Sequence, residues 1–320
     1  MTKRLQNIIA ESRYTLPITA IYSIFIWLVA GLVTQLWWVQ FGCFVVSACM
    51  MMLLNKENML IRIYSRLVSS TYLALTCAAV FLFASRSSAI MQMGAAISLF
   101  LLWHSYQDKD SVGWTFYTFL CLGAGSLAHN QVLYYLPIFW IMMMWYIFSL
   151  SWRTFFASLL GLFTPYWFCL PYYALQGEDC FESLSNHLST LLDIVSLPDY
   201  SVISMTKWVF LGFLILLMVI GSFHFIANSY KDTIRVREIY HSFIFIAAYH
   251  SFIFIAAYSL ILVLIQPQCY DMVIHVLILV VSPMIAHFFA LTHSRFTNIL
   301  FIITATAILL LTGYNLWISL

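Results

Sequence analysis

The sequence predicts an all-α, polytopic membrane protein of about eleven transmembrane helices, and three observations predict it. Of 320 residues, 63% are hydrophobic and only 8% are Asp, Glu, Lys or Arg, where a soluble domain carries roughly a quarter. Those charges sit in short polar breaks between apolar stretches, each near the length of about 20 residues that crosses a bilayer as a helix. The lysines and arginines are also segregated between alternate breaks, as cytoplasmic loops require. Because unpaired backbone N–H and C=O groups are not tolerated in hydrocarbon, each stretch must be helical. The same composition excludes a soluble enzyme, a nucleic-acid binder, a disordered chain and a disulfide-framework domain.

Taken in order, the first two spans share the uninterrupted apolar stretch Leu16 to Leu54. One helix of that length would measure about 58 Å, nearly twice the hydrocarbon thickness, so the chain folds back near Thr34, Gln35, Trp37 and Trp38. The remaining spans run Leu67 to Ala84, Ser87 to Trp103, Val112 to Ala128, Val132 to Leu150, Phe155 to Tyr173, Trp208 to Ile226, Tyr240 to Ile265, Met272 to Leu291 and Asn298 to Leu316. Span seven contains Pro165 and Pro171, which predict two kinks toward the outer side.

With the N-terminus cytoplasmic, the inner loops hold Lys3, Arg4, Arg13, Lys56, Arg62, Arg66, Lys109, Arg153, Lys231, Arg235, Arg237 and Arg295, and the outer side holds only Arg86 and Lys207. The odd span count places the C-terminus outside. Trp37, Trp38, Trp103, Trp114, Trp152, Trp208 and Trp317 fall at span ends, the headgroup level that tryptophan favours. Glu11 and Arg13 interrupt the N-terminal segment before its apolar run, so the first span reads as an anchor rather than a removed signal.

The chain forms a single integral membrane domain over 1–320. The one large extramembrane segment is 174–207, on the outer side, where Phe181, Leu184, Leu188, Leu191, Leu192 and Val195 recur at helical spacing and predict an amphipathic interfacial helix ending near Pro198. On the inner side, Leu5, Ile8 and Ile9 predict a short surface helix, and Asn58 to Arg66 another with Arg62 and Arg66 stacked on one face. Those two arginines either hold a lipid phosphate or only anchor the loop. In span nine, YHSFIFIAA at Tyr240 to Ala248 recurs letter for letter at Tyr249 to Ala257, a duplication too short for a repeat fold.

Chemistry-bearing residues are sparse. No span carries Asp, Glu, Lys or Arg near its middle, which argues against an ion-coupled transporter. His275 and His287 in span ten stand twelve positions apart, about 18 Å along a helix, too far to share a metal, and read as structural. No cofactor or metal motif is present. The sharpest polar patch is the outer end of spans five to seven, where Ser126, His129, Asn130 and Gln131 precede Tyr134 and Tyr135, with Tyr166 in span seven. It suits a sugar or lipid headgroup, or an ordinary aromatic interface belt. Glu178 and Asp179 directly follow span seven; they are either catalytic acids or solvated loop charges. Cys180 and Cys269 are the two cysteines outside the spans. A periplasmic location would permit a bridge between them, closing a loop of about 90 residues; two separate thiols are the alternative.

The series Asp108-Lys109-Asp110, a span, AHNQ, an aromatic span ending at Trp152-Arg153, and GLFTPYWF in the next span resembles the mid-region of GT-C membrane glycosyltransferases. The segment from Arg153 through Leu160-Gly161-Leu162 to Thr164-Pro165-Tyr166 is similar to a family of uncharacterised multi-pass inner-membrane proteins of Bacteroidota. The resemblance implies a bacterial inner-membrane protein acting on or beside a polyprenyl-phosphate-linked sugar or lipid at the outer leaflet. The GT-C pattern places an Asp or Glu in the first outer loop, where this chain offers Gln35. The competing expectation is therefore a non-catalytic subunit of a membrane complex, or a lipid-handling protein, whose partners are membrane lipids and other membrane proteins.

Overall fold

The structure is a computed structural model describing residues 4–175, 189, 199–243 and 255–319. Among these the chain is helical, without strands. Its helices are α1 Leu5–Glu11, α2 Thr15–Val29, α3 Trp38–Asn58, α4 Leu67–Ala78, α5 Arg86–Leu102, α6 Val112–Ala128, α7 Leu136–Trp145, α8 Trp152–Leu175, α9 Met205–Asn228, α10 Ile234–Phe243, α11 Ile255–Ile265, α12 Tyr270–Leu291 and α13 Arg295–Ser319. Of the described helices, five are long and apolar enough to cross a membrane, or six if α1 and α2, bent by 91° at their junction, count as one. The interfacial helix predicted within 174–207 and most of the duplicated segment fall outside the described residues.

The long first apolar run does fold back, through a turn between Val29 and Trp38 where Gly31 adopts φ 109. That left-handed conformation is open to glycine at no steric cost. α8 runs as one helix through both Pro165 and Pro171. Span three is interrupted at Ala79 and finished by a short 3-10 turn, and span six begins as a 3-10 segment, Asn130–Tyr135, before α7.

The predicted helix over Asn58 to Arg66 is not formed. α3 ends where Met59 turns left-handed (φ 51, ψ 48), the usual way of closing a helix C-terminus. The following linker, 60–66, instead has carbonyls engaged by other elements: Asn55 Nδ2 donates to Ser65 O at 2.9 Å and the Tyr240 hydroxyl to Leu60 O at 3.3 Å. Arg62 and Arg66 therefore do not share a helical face.

α12 is the hub. Every residue from Met272 to Ala290 is buried, as expected of a helix apolar all round. It packs against α4, α9, α11 and α5. Gly221 lets α9 approach it, since a Cβ there would sit 3.1 Å from Met284 Cβ. A second dense layer joins α5, α6 and α8: Gly123 lies under the Leu162 carbonyl, where a Cβ would come within 2.5 Å, and Gly161 lies against the Phe116 carbonyl. Such small-residue contacts are how apolar helices gain dispersion where no hydrophobic force separates helix from lipid. The outward faces of α2, α8 and α13 carry Phe25, Phe163, Trp167, Phe168, Leu310 and Trp317 in the open.

Contacts distant in sequence sort the loops into two faces. One joins Gln6 and Asn7 to Thr292, Gln107 to Ile147, Ser151 to Lys109, Arg235 to Trp103 and Tyr240 to Leu60. The other joins Gln40 to Ala84, Lys207 to Asp271, Tyr258 to Tyr134 and Tyr200 to Leu264. Each contact pairs segments to which the alternation of loops assigns the same side. The first set is called below the basic face and the second the opposite face. α1 belongs to the basic face. It turns Gln6 and Asn7 inward and leaves Leu5 and Ile8 exposed.

Candidate functional sites at the two ends of the central helix

α12 begins at the opposite face. Asp271, in its first turn, holds Lys207 Nζ at 2.6 Å through Oδ1. One turn further in, on the same side of the helix, stands His275, 3% exposed, with neither ring nitrogen hydrogen-bonded among the described residues. His129, at the C-terminus of α6, is an electrostatic neighbour of both. Burial lowers the His129 pKa below the ordinary imidazole value, with the Asp271 carboxylate acting in the other direction. Gln131 Oε1 is buried beside it in the chain, also without a hydrogen-bond partner among the described residues. The AHNQ cap predicted from the sequence thus meets the polar start of α12.

The other predicted residues here fall as follows. Tyr166 is joined by its hydroxyl to Ser126 Oγ at 2.7 Å, tying α8 to α6. The Tyr134 carbonyl accepts from the Tyr258 hydroxyl at 2.7 Å, and Tyr135 pairs with Ser259 at 2.7 Å. Asn130 opens the 3-10 segment leading to α7. Glu178, Asp179 and Cys180 lie outside the described residues. Cys269 is buried immediately before α12, its thiol 3.3 Å from Gln266 Oε1, and burial pushes it up to about 12.

α12 ends toward the basic face in a cluster that sequence reasoning missed. Asp232, in the bend between α9 and α10, has a side chain with 0% exposure; Arg62 Nε stands 2.6 Å from its Oδ1 and His287 Nε2 3.3 Å from its Oδ2. These are ion-pair separations in which the N–H directions fall short of hydrogen-bond geometry. The His224 ring lies 5.7 Å from that of His287, and the Tyr240 ring 4.9 Å. The Tyr240 hydroxyl donates to Leu60 O and to Pro283 O, at 3.3 and 3.2 Å. Three segments remote in the chain, the 60–66 linker, the α9–α10 bend and α12, meet on one carboxylate. Arg62, predicted as a lipid-phosphate ligand, has its guanidinium on Asp232, whereas Arg66 Nε donates to the Tyr64 hydroxyl at 2.9 Å.

His275 and His287, which read from the sequence as structural, differ in this respect: His287 has an acid partner and His275 has none among the described residues. Asp271 and His275, four apart, were a signal available in the sequence. Asp232, next to Lys231 in a loop, reads there as a solvated charge. Comparison of the chain with family models, with curated proteins and with solved structures finds no match.

Proposed function

We propose that the chain is an eleven-span protein of a bacterial inner membrane, with its basic face cytoplasmic, GT-C-like in architecture. It acts on or beside a polyprenyl-linked sugar or lipid whose polar head enters at the start of α12. The observation that carries this reading is His275, a buried imidazole with both nitrogens unpartnered among the described residues, one turn below Asp271 and close to His129. A buried polar group without a partner costs about 1–3 kcal/mol, and a ligand that bonds to it returns that cost. Ionisable groups inside a membrane protein mark functional sites by default.

In its catalytic form the reaction is glycosyl transfer. An acceptor hydroxyl gives its proton to His129 or His275, its oxygen bonds the anomeric carbon, and the bond from that carbon to the phosphate oxygen breaks, releasing polyprenyl phosphate. Glu178 and Asp179 are the further acids to test. The second reading, a non-catalytic subunit or lipid-handling protein, is favoured by the first turn on that side, which carries Thr34 and Gln35 where the GT-C pattern has an acid.

Deleting the gene and profiling envelope glycans with polyprenyl-linked lipids tests the catalytic reading. Accumulation of a polyprenyl-linked sugar, reversed by the wild-type gene and not by His275→Leu or His129→Ala, is the expected result. Unchanged profiles would remove the enzyme, and a second protein co-purifying in fixed ratio would then support the subunit reading.

A further inference from the structure

Between α2, α4, α12 and α13 lies a half-open apolar cleft of about 330 Å³, within the volume range of small-molecule pockets. It is remote from the start of α12 and plays no part in the function proposed above. Ile9, Thr15 and Leu67 place its mouth at the basic face, under the elbow between α1 and α2. Thr19 and Ala74 line it further in, and Tyr22 bridges to Thr312 Oγ1 at 2.9 Å, tying α2 to α13.

Two features make the mouth amphiphilic. Ser70, in the first turn of α4, lines the cleft, is 3% exposed, and its hydroxyl has no hydrogen-bond partner among the described residues. The same turn is the positive end of a 12-residue helix, suited to an anion, and Arg66 precedes it at the N-cap. Arg62 faces Asp232, so Arg66 is the cation of this linker closer to the cleft in sequence. The other serine and threonine hydroxyls of this wall are engaged: Thr71 donates to Ser282 O at 3.0 Å, and Thr19 to Thr15 O at 3.0 Å.

We propose that this cleft is a phospholipid site, holding one acyl chain against α2, α4 and α13 with the phosphodiester at Arg66 and the first turn of α4, and a glycerol or ester oxygen within reach of Ser70. The charge complementarity selects an anionic head: the basic face carries Arg4, Arg13, Lys56 and Arg66 around the mouth in sequence, and an apolar cleft opening there faces hydrocarbon chains.

The test uses the full-length protein in vesicles of phosphatidylcholine doped with phosphatidylglycerol carrying a photoactivatable diazirine in its acyl chain. After irradiation, adducts are mapped by mass spectrometry. Adducts on residues 18–22, 70–75 and 301–309 should exceed those on the exposed α8 residues 156–167 several-fold, and Ala74→Phe or Ala305→Phe should abolish the excess. A diacylglycerol probe of the same chain should label several-fold less, and Arg66→Gln should narrow that gap. Labelling spread evenly over all apolar faces would overturn the proposal. Displacement of the probe by inorganic phosphate would show a site for free phosphate and overturn the lipid assignment. If both phenylalanine variants misfold, the adduct map of the wild-type chain decides alone.

Discussion

At the end of α12 His287 has a carboxylate 3.3 Å away, and that carboxylate has an arginine at 2.6 Å; at its start His275 has no hydrogen-bond partner among the described residues, while the nearby acid, Asp271, is paired with Lys207. Both histidines lie on the same fully buried helix, in similar apolar surroundings. The difference between them separates a tie from a site. A buried charge whose neighbours converge from three segments spends its interaction energy on holding those segments together. A buried imidazole left open retains that capacity for a ligand.

Removing one partner of the tie should have the largest effect. Asp232→Ala leaves Arg62 and His287 without their counter-charge and should cost about 3–5 kcal/mol, read as a lower melting temperature and less folded protein in detergent. The double variant Arg62→Leu with Asp232→Leu should recover most of that loss, because an apolar replacement of a buried pair is often neutral. If the double variant is as unstable as the single one, the cluster is more than a tie.

His275→Leu should behave in the opposite sense. It removes an unpartnered polar group from the core, so stability should be unchanged or raised by about 1 kcal/mol, while the glycolipid phenotype of the deletion should persist. A large loss of stability would make His275 a structural residue. At the same end of the helix, Lys207→Ala should cost at most about 1 kcal/mol by denaturant titration, because that pair is partly exposed, at 23% and 38%.

The smallest expected effect is on pH. Since the folded state holds His129 below its ordinary pKa, the unfolded chain binds the proton first. The His129 contribution to stability is therefore constant above the ordinary imidazole value of 6.5 and falls as pH drops below it, until the folded pKa is reached. His129→Asn should shallow the acid limb of the stability profile, and an unchanged limb would place His129 in water.

Much of this arrangement was legible in the sequence, because hydropathy runs and charge alternation report directly on which backbone must be helical and which loops share a side. The contacts Arg235 to Trp103 and Tyr258 to Tyr134 join segments that the alternation had paired. The linker after α3 was misread. The spacing of Arg62 and Arg66 fits a helix, but Asn55 and Tyr240 engage carbonyls at Ser65 and Leu60, and those contacts are tertiary. Asp232 was hidden for the same reason, since nothing local distinguishes a loop acid that solvates from one drawn under a distant arginine. At the start of α12 the AHNQ cap was visible, whereas its approach to Asp271 and His275, some 140 residues later in the chain, depends on how α6 and α12 are placed by the bundle.

The most direct test is a density map of the wild-type protein extracted with its native lipids into nanodiscs. Density for a bound polar head within hydrogen-bond distance of His275 and His129, with Asp232 contacting only Arg62 and His287, is the predicted result. A ligand seated on Asp232 and His287, with protein side chains closed over His275, would contradict the assignment of the two ends.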